Sequence, residues 1–482
     1  MPPRTHDDPT AVKALRRSVV KVLSTSDPPD YDQPWQTRGV ENATGSGAII
    51  DTAAGPRVLT NAHVVENAVF IEVRRYGRAH KYVAEVEGVG SECDLALLKV
   101  EKKDFFRGTI PFPIGTLPSL GDYVSVLGFP IGGDRISVTE GVVSRIEVTP
   151  YAQSERQLLS VQIDAAINEG NSGGPVVKDA RMVGVAFQAL EEAENIGYLI
   201  PAPIVEHFLR DIEDGTFAGF PALGIVTQRL ESDVHRRFLG LPKGKSGVLV
   251  TRVEYGGAAW GVLQPGDVLL ALGKFPLAAD GTVRFRGGAR IEFDQLVAGY
   301  HVGERMPLSA WRDGARLDAE VELAALPCLI PRTLYAARPT YYLYAGLLFV
   351  PVTRGYLRTW GEDWMTEAPQ ELVSLYQSGV RTRRMQEVVV LQKVLADQVN
   401  RGYHEIENVR IVKCQERRIR CLRDLVREVE RTEDEFLRFE TADGRSMVFD
   451  RTLAAERHEG ILKRYGVPRD RSDDLDGAAG DA

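Results

Sequence analysis

The chain has 482 residues, too many for one core and suited to about three domains, with an apolar share ordinary for a soluble protein. Its net charge of −8 argues against nucleic acid or an anionic membrane as the main partner. The cysteines (Cys93, Cys328, Cys414 and Cys421) are scattered and show no ligand spacing with histidines, so neither a structural metal, a cofactor site nor a disulfide framework is expected.

Residues 1–10 are polar and are expected to be disordered. They lack the apolar core of a secretory signal, and no window of the chain approaches a membrane-spanning run. With Met1 as the native start, this leads to the expectation of a cytoplasmic protein, or a nuclear or organellar one in a eukaryote. Ser18–Val22 reads as the first strand. The Asp- and Pro-rich stretch 26–42 reads as a long loop, in which Trp35 is either a local anchor or a clasp on a neighbouring subunit. Gly45–Ile50 leads to the β-branched run Val58–Val65, which delivers His63 at a strand end. Cys93–Val100 sets Asp94 at the opening of an apolar strand. Short strands continue at 122–128 and 139–144, separated by Phe129-Pro130-Ile131-Gly132-Gly133, a glycine-rich loop or a plain hairpin. Many short strands with almost no helical period predict a mainly β fold of paired antiparallel barrels over 11–203.

The apolar approach Val161–Ile167 then carries Gly170-Asn171-Ser172-Gly173-Gly174-Pro175. Peptide hydrolysis needs an exposed hydroxyl on a tight turn whose N–H groups can meet the oxyanion. Alone, such a stretch also reads as a flexible glycine turn, His63 as a packed histidine and Asp94 as a strand-edge acid. Together they supply what acyl transfer requires: a serine hydroxyl, an imidazole to take its proton, and a carboxylate to fix the imidazole tautomer.

Thr60-Asn61-Ala62-His63-Val64-Val65, Asp94-Leu95-Ala96-Leu97-Leu98 and Gly170–Pro175 resemble the three catalytic blocks of the Deg/HtrA (Do-like) serine proteases. The resemblance implies a chymotrypsin-like double β-barrel with His63 as general base, Asp94 as its orienting carboxylate and Ser172 as nucleophile. It implies an oxyanion hole from the backbone N–H groups around Gly170, Asn171 and Ser172. It also implies a substrate pocket walled by Ile167 and the strand through Phe187. No aspartate stands where a basic P1 side chain would need one, so cleavage after small or medium aliphatic residues is expected, with loose specificity.

Residues 204–215 read as a linker helix, with Ile204, Phe208 and Ile212 at helical spacing and Gly215 suited to its end. Residues 216–326 resemble a PDZ domain: Leu223-Gly224-Ile225 is similar to its carboxylate-binding loop, and Leu263–Leu270 contains its Pro-Gly-Asp turn. Such a domain takes a peptide C-terminus as an added edge strand; the groove could also be filled by the chain itself or a sister subunit. The basic insert Asp280–Gly288 would obstruct or extend that groove. Residues 330–467 read as a second, divergent PDZ-like α+β module that lacks the Pro-Gly-Asp turn. Within it Tyr344–Phe349 stands where a carboxylate loop would lie, Leu422, Leu425, Val426 and Val429 mark a helix, and Asp443-Gly444 marks a hairpin. Residues 468–482 read as a disordered acidic tail. This order resembles the two-PDZ plant-type Do-like proteases and their bacterial relatives. It implies an ATP-independent endopeptidase acting on protein and peptide substrates and self-associating as a trimer-based or larger homo-oligomer. The alternative is a chaperone or scaffold whose PDZ modules hold peptides, with proteolysis secondary.

Overall fold

The computed structural model describes residues 14–130, 133, 135–168, 170–189, 197–326, 328–332, 335 and 337–477. The expectation for residues 1–10 lies outside them. The chain divides into two compact units, one of Met1–Asp27 with Val40–Leu326 and one of Pro28–Gly39 with Pro327–Ala482.

The first unit opens with two closed six-stranded barrels. The first barrel holds β1 (Val19–Ser26), β2 (Glu41–Thr52), β3 (Gly55–Thr60), β4 (Ala68–Arg75), β5 (Tyr82–Gly90) and β6 (Leu95–Lys99). The second holds β7 (Tyr123–Gly128), β8 (Ser137–Pro150), β9 (Gln157–Ile163), β10 (Pro175–Lys178), β11 (Arg181–Ala189) and β12 (Gly197–Pro201). Their runs of Val, Ile and Leu suit strands buried on the barrel interior; Ile49, Val58, Leu98, Val126, Val161 and Val185 are all fully or almost fully buried. Helix α1 (Ala202–Asp211) follows with Pro201 at its N-cap and buries Ile204, Val205 and Phe208. A further turn, Ile212–Asp214, ends at Gly215, whose φ of 86° is the left-handed stop a glycine tolerates.

The rest of this unit is an antiparallel sheet of β13 (Ile225–Arg229), β14 (Val248–Val253), β15 (Val268–Leu272), β16 (Arg305–Arg312) and β17 (Ala315–Glu322), with the short helix α2 (Asp294–Ala298). The Pro-Gly-Asp turn has a clear purpose here. Asp267 is fully buried, accepts the Gln264 N–H at 2.9 Å, and takes both Nε and Nη2 of Arg312 at 2.7 Å. A buried carboxylate must be paired, and this one ties the turn to β16. The basic insert folds as a two-stranded hairpin (Thr282–Arg284 with Arg290–Glu292), and Arg286 donates to the Leu117 carbonyl at 2.7 Å.

In the second unit, β18 (Tyr342–Tyr344), β19 (Leu347–Pro351), β20 (Val389–Val394), β21 (Val409–Cys414), β22 (Phe436–Thr441) and β23 (Ser446–Asp450) form one sheet, with Arg417–Arg418 paired on the side of β21. Leu347 and Phe349 pack in one core with Leu425 and Val426 of α4 (Leu422–Arg431). Leu348 and Val350 pack in another, with Leu372 of α3 (Gln370–Ser378) and Ile461 of α5 (Arg451–Tyr465). Burial of both sheet faces explains why the Leu-Leu-Phe-Val run does not alternate. The expected helix at Leu422 and the hairpin at Gly444 (φ 85°) are present.

Two expectations change. Stretch 26–42 is not a plain loop of the protease: Pro28–Gly39 belongs to the second unit. There Trp35 meets Tyr341 edge to face at 5.7 Å, Gln392 donates to the carbonyls of Tyr31 and Asp32, and Tyr31 fills the space that a Cβ at Gly355 would occupy. The segment after Pro468 is not a disordered tail as far as residue 477. Leu343 donates its N–H to Asp470, Arg471 pairs with Glu430, and Leu475 is buried. One apolar anchor and a few ion pairs are enough to hold a segment whose average composition is acidic. Residues 478–482 lie outside the described residues.

Candidate active site

Strands β3 and β6 are antiparallel neighbours in the register Thr60↔Ala96, so the end of the strand leading to His63 lies beside the start of the strand following Asp94. His63 opens a short 3-10 turn (His63–Val65), and Asp94 takes a left-handed φ of 54°. Aspartate tolerates that conformation, and here it points the carboxylate back across the strands. Asp94 is 1% exposed. Its Oδ1 accepts the His63 backbone N–H at 2.9 Å and its Oδ2 meets His63 Nδ1 at 2.7 Å. The Asn61 side-chain amide fixes the Asp94 carbonyl at 2.8 Å. Desolvation pulls the His63 pKa down, but the Asp94 charge and hydrogen bond, with Glu66, pull it up further, and it lies above the ordinary imidazole value. A carboxylate facing Nδ1 favours the proton on that nitrogen, which leaves Nε2 with its lone pair in the neutral ring.

The Ser172 turn is clamped between the barrels by Ser46, a residue that the sequence does not single out. The Ser46 N–H donates to the Ser172 carbonyl at 2.8 Å, and its hydroxyl donates to the Gly170 carbonyl at 2.6 Å while accepting the Phe129 N–H at 2.8 Å. Gly173 has φ 84°, and a Cβ there would lie 2.2 Å from the Ser46 carbonyl oxygen, so only glycine fits. Gly173 and Gly174 are pinned further by bonds to the Ala186 and Asn171 carbonyls. Ser172 thus sits on a rigid turn whose Gly173 abuts Thr60 and Asn61, just before His63. The Ser172 hydroxyl makes no hydrogen bond among the described residues.

One expected oxyanion donor is corrected. The Asn171 N–H is spent on the Asn168 carbonyl at 2.9 Å, which leaves the N–H groups of Gly170 and Ser172 as candidates. Ile167 and Phe187 are both buried in the second barrel, Ile167 against Gly197 and Phe187 against Tyr151 at 4.7 Å. Glu169, residues 190–196, and Ile131, Gly132 and Asp134 of the glycine-rich loop lie outside the described residues.

In the sheet after the barrels, Leu223 is buried and Gly224 (φ 69°) leaves room for Gly257, whose Cα would lie 2.8 Å from a Cβ there. Ile225 opens β13, the end strand of its sheet, which is where an added peptide strand would pair. The matching loop of the second unit is filled. Asn400 is fully buried, and its amide donates to the Ala345 and Leu395 carbonyls at 2.8 Å.

Residues 45–185 match the trypsin-like peptidase domain and residues 330–474 match a PDZ domain. The chain is 40% identical to Protease Do-like 2, chloroplastic, of Arabidopsis thaliana, over 98% of this chain and 77% of that protein. It belongs to the Deg/HtrA (Do-like) serine protease family. Protease Do-like 4, mitochondrial, of the same plant is 35% identical over 94% of this chain and 84% of that protein. Among solved structures, the HtrA-type protease AlgW with tripeptide is 26% identical with a TM-score of 0.50, covering 65% of this chain and 95% of that one. A Ser-to-Ala form of AlgW with decapeptide is 25% identical with a TM-score of 0.52, covering 65% and 96%. This Do-like chain is therefore a serine endopeptidase, and the chaperone alternative is not favoured. The cytoplasmic expectation is overturned: relatives matched over nearly the whole chain are named as chloroplastic and mitochondrial proteins, pointing to an organellar location. A missing apolar signal does not bear on that, because organelle transit peptides are amphipathic rather than apolar.

Proposed function

We propose that His63, Asp94 and Ser172 form the catalytic triad of this endopeptidase, acting without ATP on damaged, unfolded or regulatory proteins. The reading rests on one observation above all, the double hold of the buried Asp94 carboxylate on the backbone N–H and ring Nδ1 of His63. Ser172 Oγ attacks the substrate carbonyl carbon while His63 Nε2 takes its proton. Asp94 keeps the ring in that tautomer and steadies the imidazolium. The N–H groups of Gly170 and Ser172 receive the oxyanion. Collapse expels the amine, which takes the proton back from His63, and water repeats the cycle to free the acid product. Ile167 and Phe187 make the surroundings of the P1 side chain apolar, which favours small or medium aliphatic residues by about 1–3 kcal/mol per methylene. Leu223, Gly224 and Ile225 of the 216–326 module hold a peptide end beside β13, and the protein works as a trimer-based or larger homo-oligomer.

Ser172→Ala tests the assignment. Cleavage of β-casein falls by on the order of 10⁴-fold or more, while substrate binding persists. Residual cutting by a homogeneous variant refutes Ser172 as nucleophile.

A further inference from the structure

The second unit carries a cavity of about 270 Å³ that lies outside the loop where a PDZ domain takes a carboxylate. Its floor is apolar, built from Leu375 of α3, Val412 of β21 and the buried Ile419. Its rim is cationic. Arg384 stands on the turn closed by the Thr382–Met385 bridge, Arg410 lies two residues before Val412 on the same face of β21, and Arg418 lies on the strand paired to it. Arg410 is half committed, its Nε bonded to Glu371 at 2.7 Å. The side chains of Arg384 and Arg418 have no hydrogen bond or ion pair among the described residues, although the unit is otherwise rich in ion pairs.

We propose that this cavity binds the C-terminal end of a peptide, with the terminal carboxylate between Arg384 and Arg418 and the last apolar side chain on the Leu375–Val412–Ile419 floor. The volume lies just below the roughly 300–1,000 Å³ of ordinary small-ligand clefts, which suits one chain end rather than a cofactor. The chemistry fits as well. Guanidinium groups match a carboxylate in paired hydrogen bonds, and uncompensated ones beside an apolar floor gain most from an anion that brings its own hydrophobic group. The usual loop of this module is unavailable because the Asn400 amide already occupies it. A product peptide released by an endopeptidase carries such an end, so the site would hold a cleaved chain or a substrate terminus.

The test uses the full chain as Ser172→Ala, so that the probe survives, and an eight-residue fluorescent peptide ending in Val-Leu with a free acid or a carboxamide. Anisotropy reads affinity and calorimetry reads stoichiometry, which separates this cavity from the groove beside β13. The free acid binds at least tenfold tighter than the amide, a terminal Gly in place of Leu weakens binding about tenfold, and raised salt weakens it further. Arg384→Gln with Arg418→Gln removes one site per chain without moving the unfolding midpoint, because both arginines are exposed. Equal binding of acid and amide, no binding of either, or unchanged stoichiometry in the double variant overturns the proposal. Cutting of the probe by the Ser172→Ala chain would instead count against the nucleophile and leave the cavity result readable.

Discussion

Ser46 holds the serine turn, and Ser46→Ala measures how much. The side chain is fully buried, and its hydroxyl serves two groups at once, the Gly170 carbonyl at 2.6 Å and the Phe129 N–H at 2.8 Å. Alanine leaves both without partners. Each buried, unsatisfied backbone group costs about 1–3 kcal/mol, so the variant loses roughly 2–6 kcal/mol. The vacated space is one oxygen atom wide and bounded by Gly128, whose Cβ position would lie 2.9 Å from the hydroxyl, so water is a poor substitute. At about 2–4 °C per kcal/mol for a domain of this class, the unfolding midpoint drops by at least about 4 °C. Because Gly170 is a proposed oxyanion donor, kcat falls as well, by about tenfold, short of the 10²–10³ seen when a donor is removed outright. KM moves little, since the hydroxyl touches no substrate. Calorimetric scans with peptide kinetics below the transition read both effects. A midpoint within 1 °C of the parent together with kcat within twofold would refute the clamp.

Two further outcomes follow from titration. The acid limb of kcat/KM lies above pH 6.5, because the raised His63 must lose its proton before it can act as base; Asp94→Asn lowers activity by about 10⁴-fold and moves the residual limb downward, and a limb that stays in place refutes the coupling. His207 is buried in a stack between Phe220 and His301, both at 4.1 Å, with Asp211 and Arg210 the other charges near it, and its pKa is lowered to about 4, first by desolvation and then by His301. Its stability contribution is complete above the unfolded value of about 6.5 and is lost as pH falls toward 4, about 2 kcal/mol of it by pH 5. His207→Phe keeps the stack and narrows the gap between unfolding midpoints at pH 5 and pH 8; an unchanged gap assigns the acid sensitivity elsewhere.

The catalytic blocks were legible because their chemistry is packed into short runs: Asn61 and His63 arrive together, and Gly173 beside Ser172 marks a turn that tolerates no Cβ. The strands were legible from β-branched runs, and α4 from Leu422, Leu425, Val426 and Val429, all buried as the spacing requires. Ser46 was not, because a Gly-Ser-Gly step in a strand carries no mark of the long-range bonds its hydroxyl makes to positions 129 and 170. Trp35 announced an anchor without saying where, since its partner Tyr341 lies some three hundred residues away in sequence, a separation no local pattern encodes. The ordered stretch after Pro468 was hidden for the opposite reason: single anchors such as Leu475 vanish in an acidic average.

Each PDZ-like module buries one carboxylate paired to arginine, at a different place in each. In the first, the buried Asp267 is clamped by Arg312 at the Pro-Gly-Asp turn. In the second, the buried carboxylate is Asp397, held by Arg457 and Arg464 of α5. The turn it organises puts Asn400 into the space beside Ala345 and Gly346, where a Cβ on Gly346 would come within 2.4 Å of the amide nitrogen. A ligand carboxylate entering there would have to displace two hydrogen bonds, each worth about 0.5–1.5 kcal/mol net, and then leave a buried amide and two carbonyls without partners, a larger cost. Any anion-binding capacity of this module has to come from groups its own ion pairs leave over, and Arg384 and Arg418 are such groups.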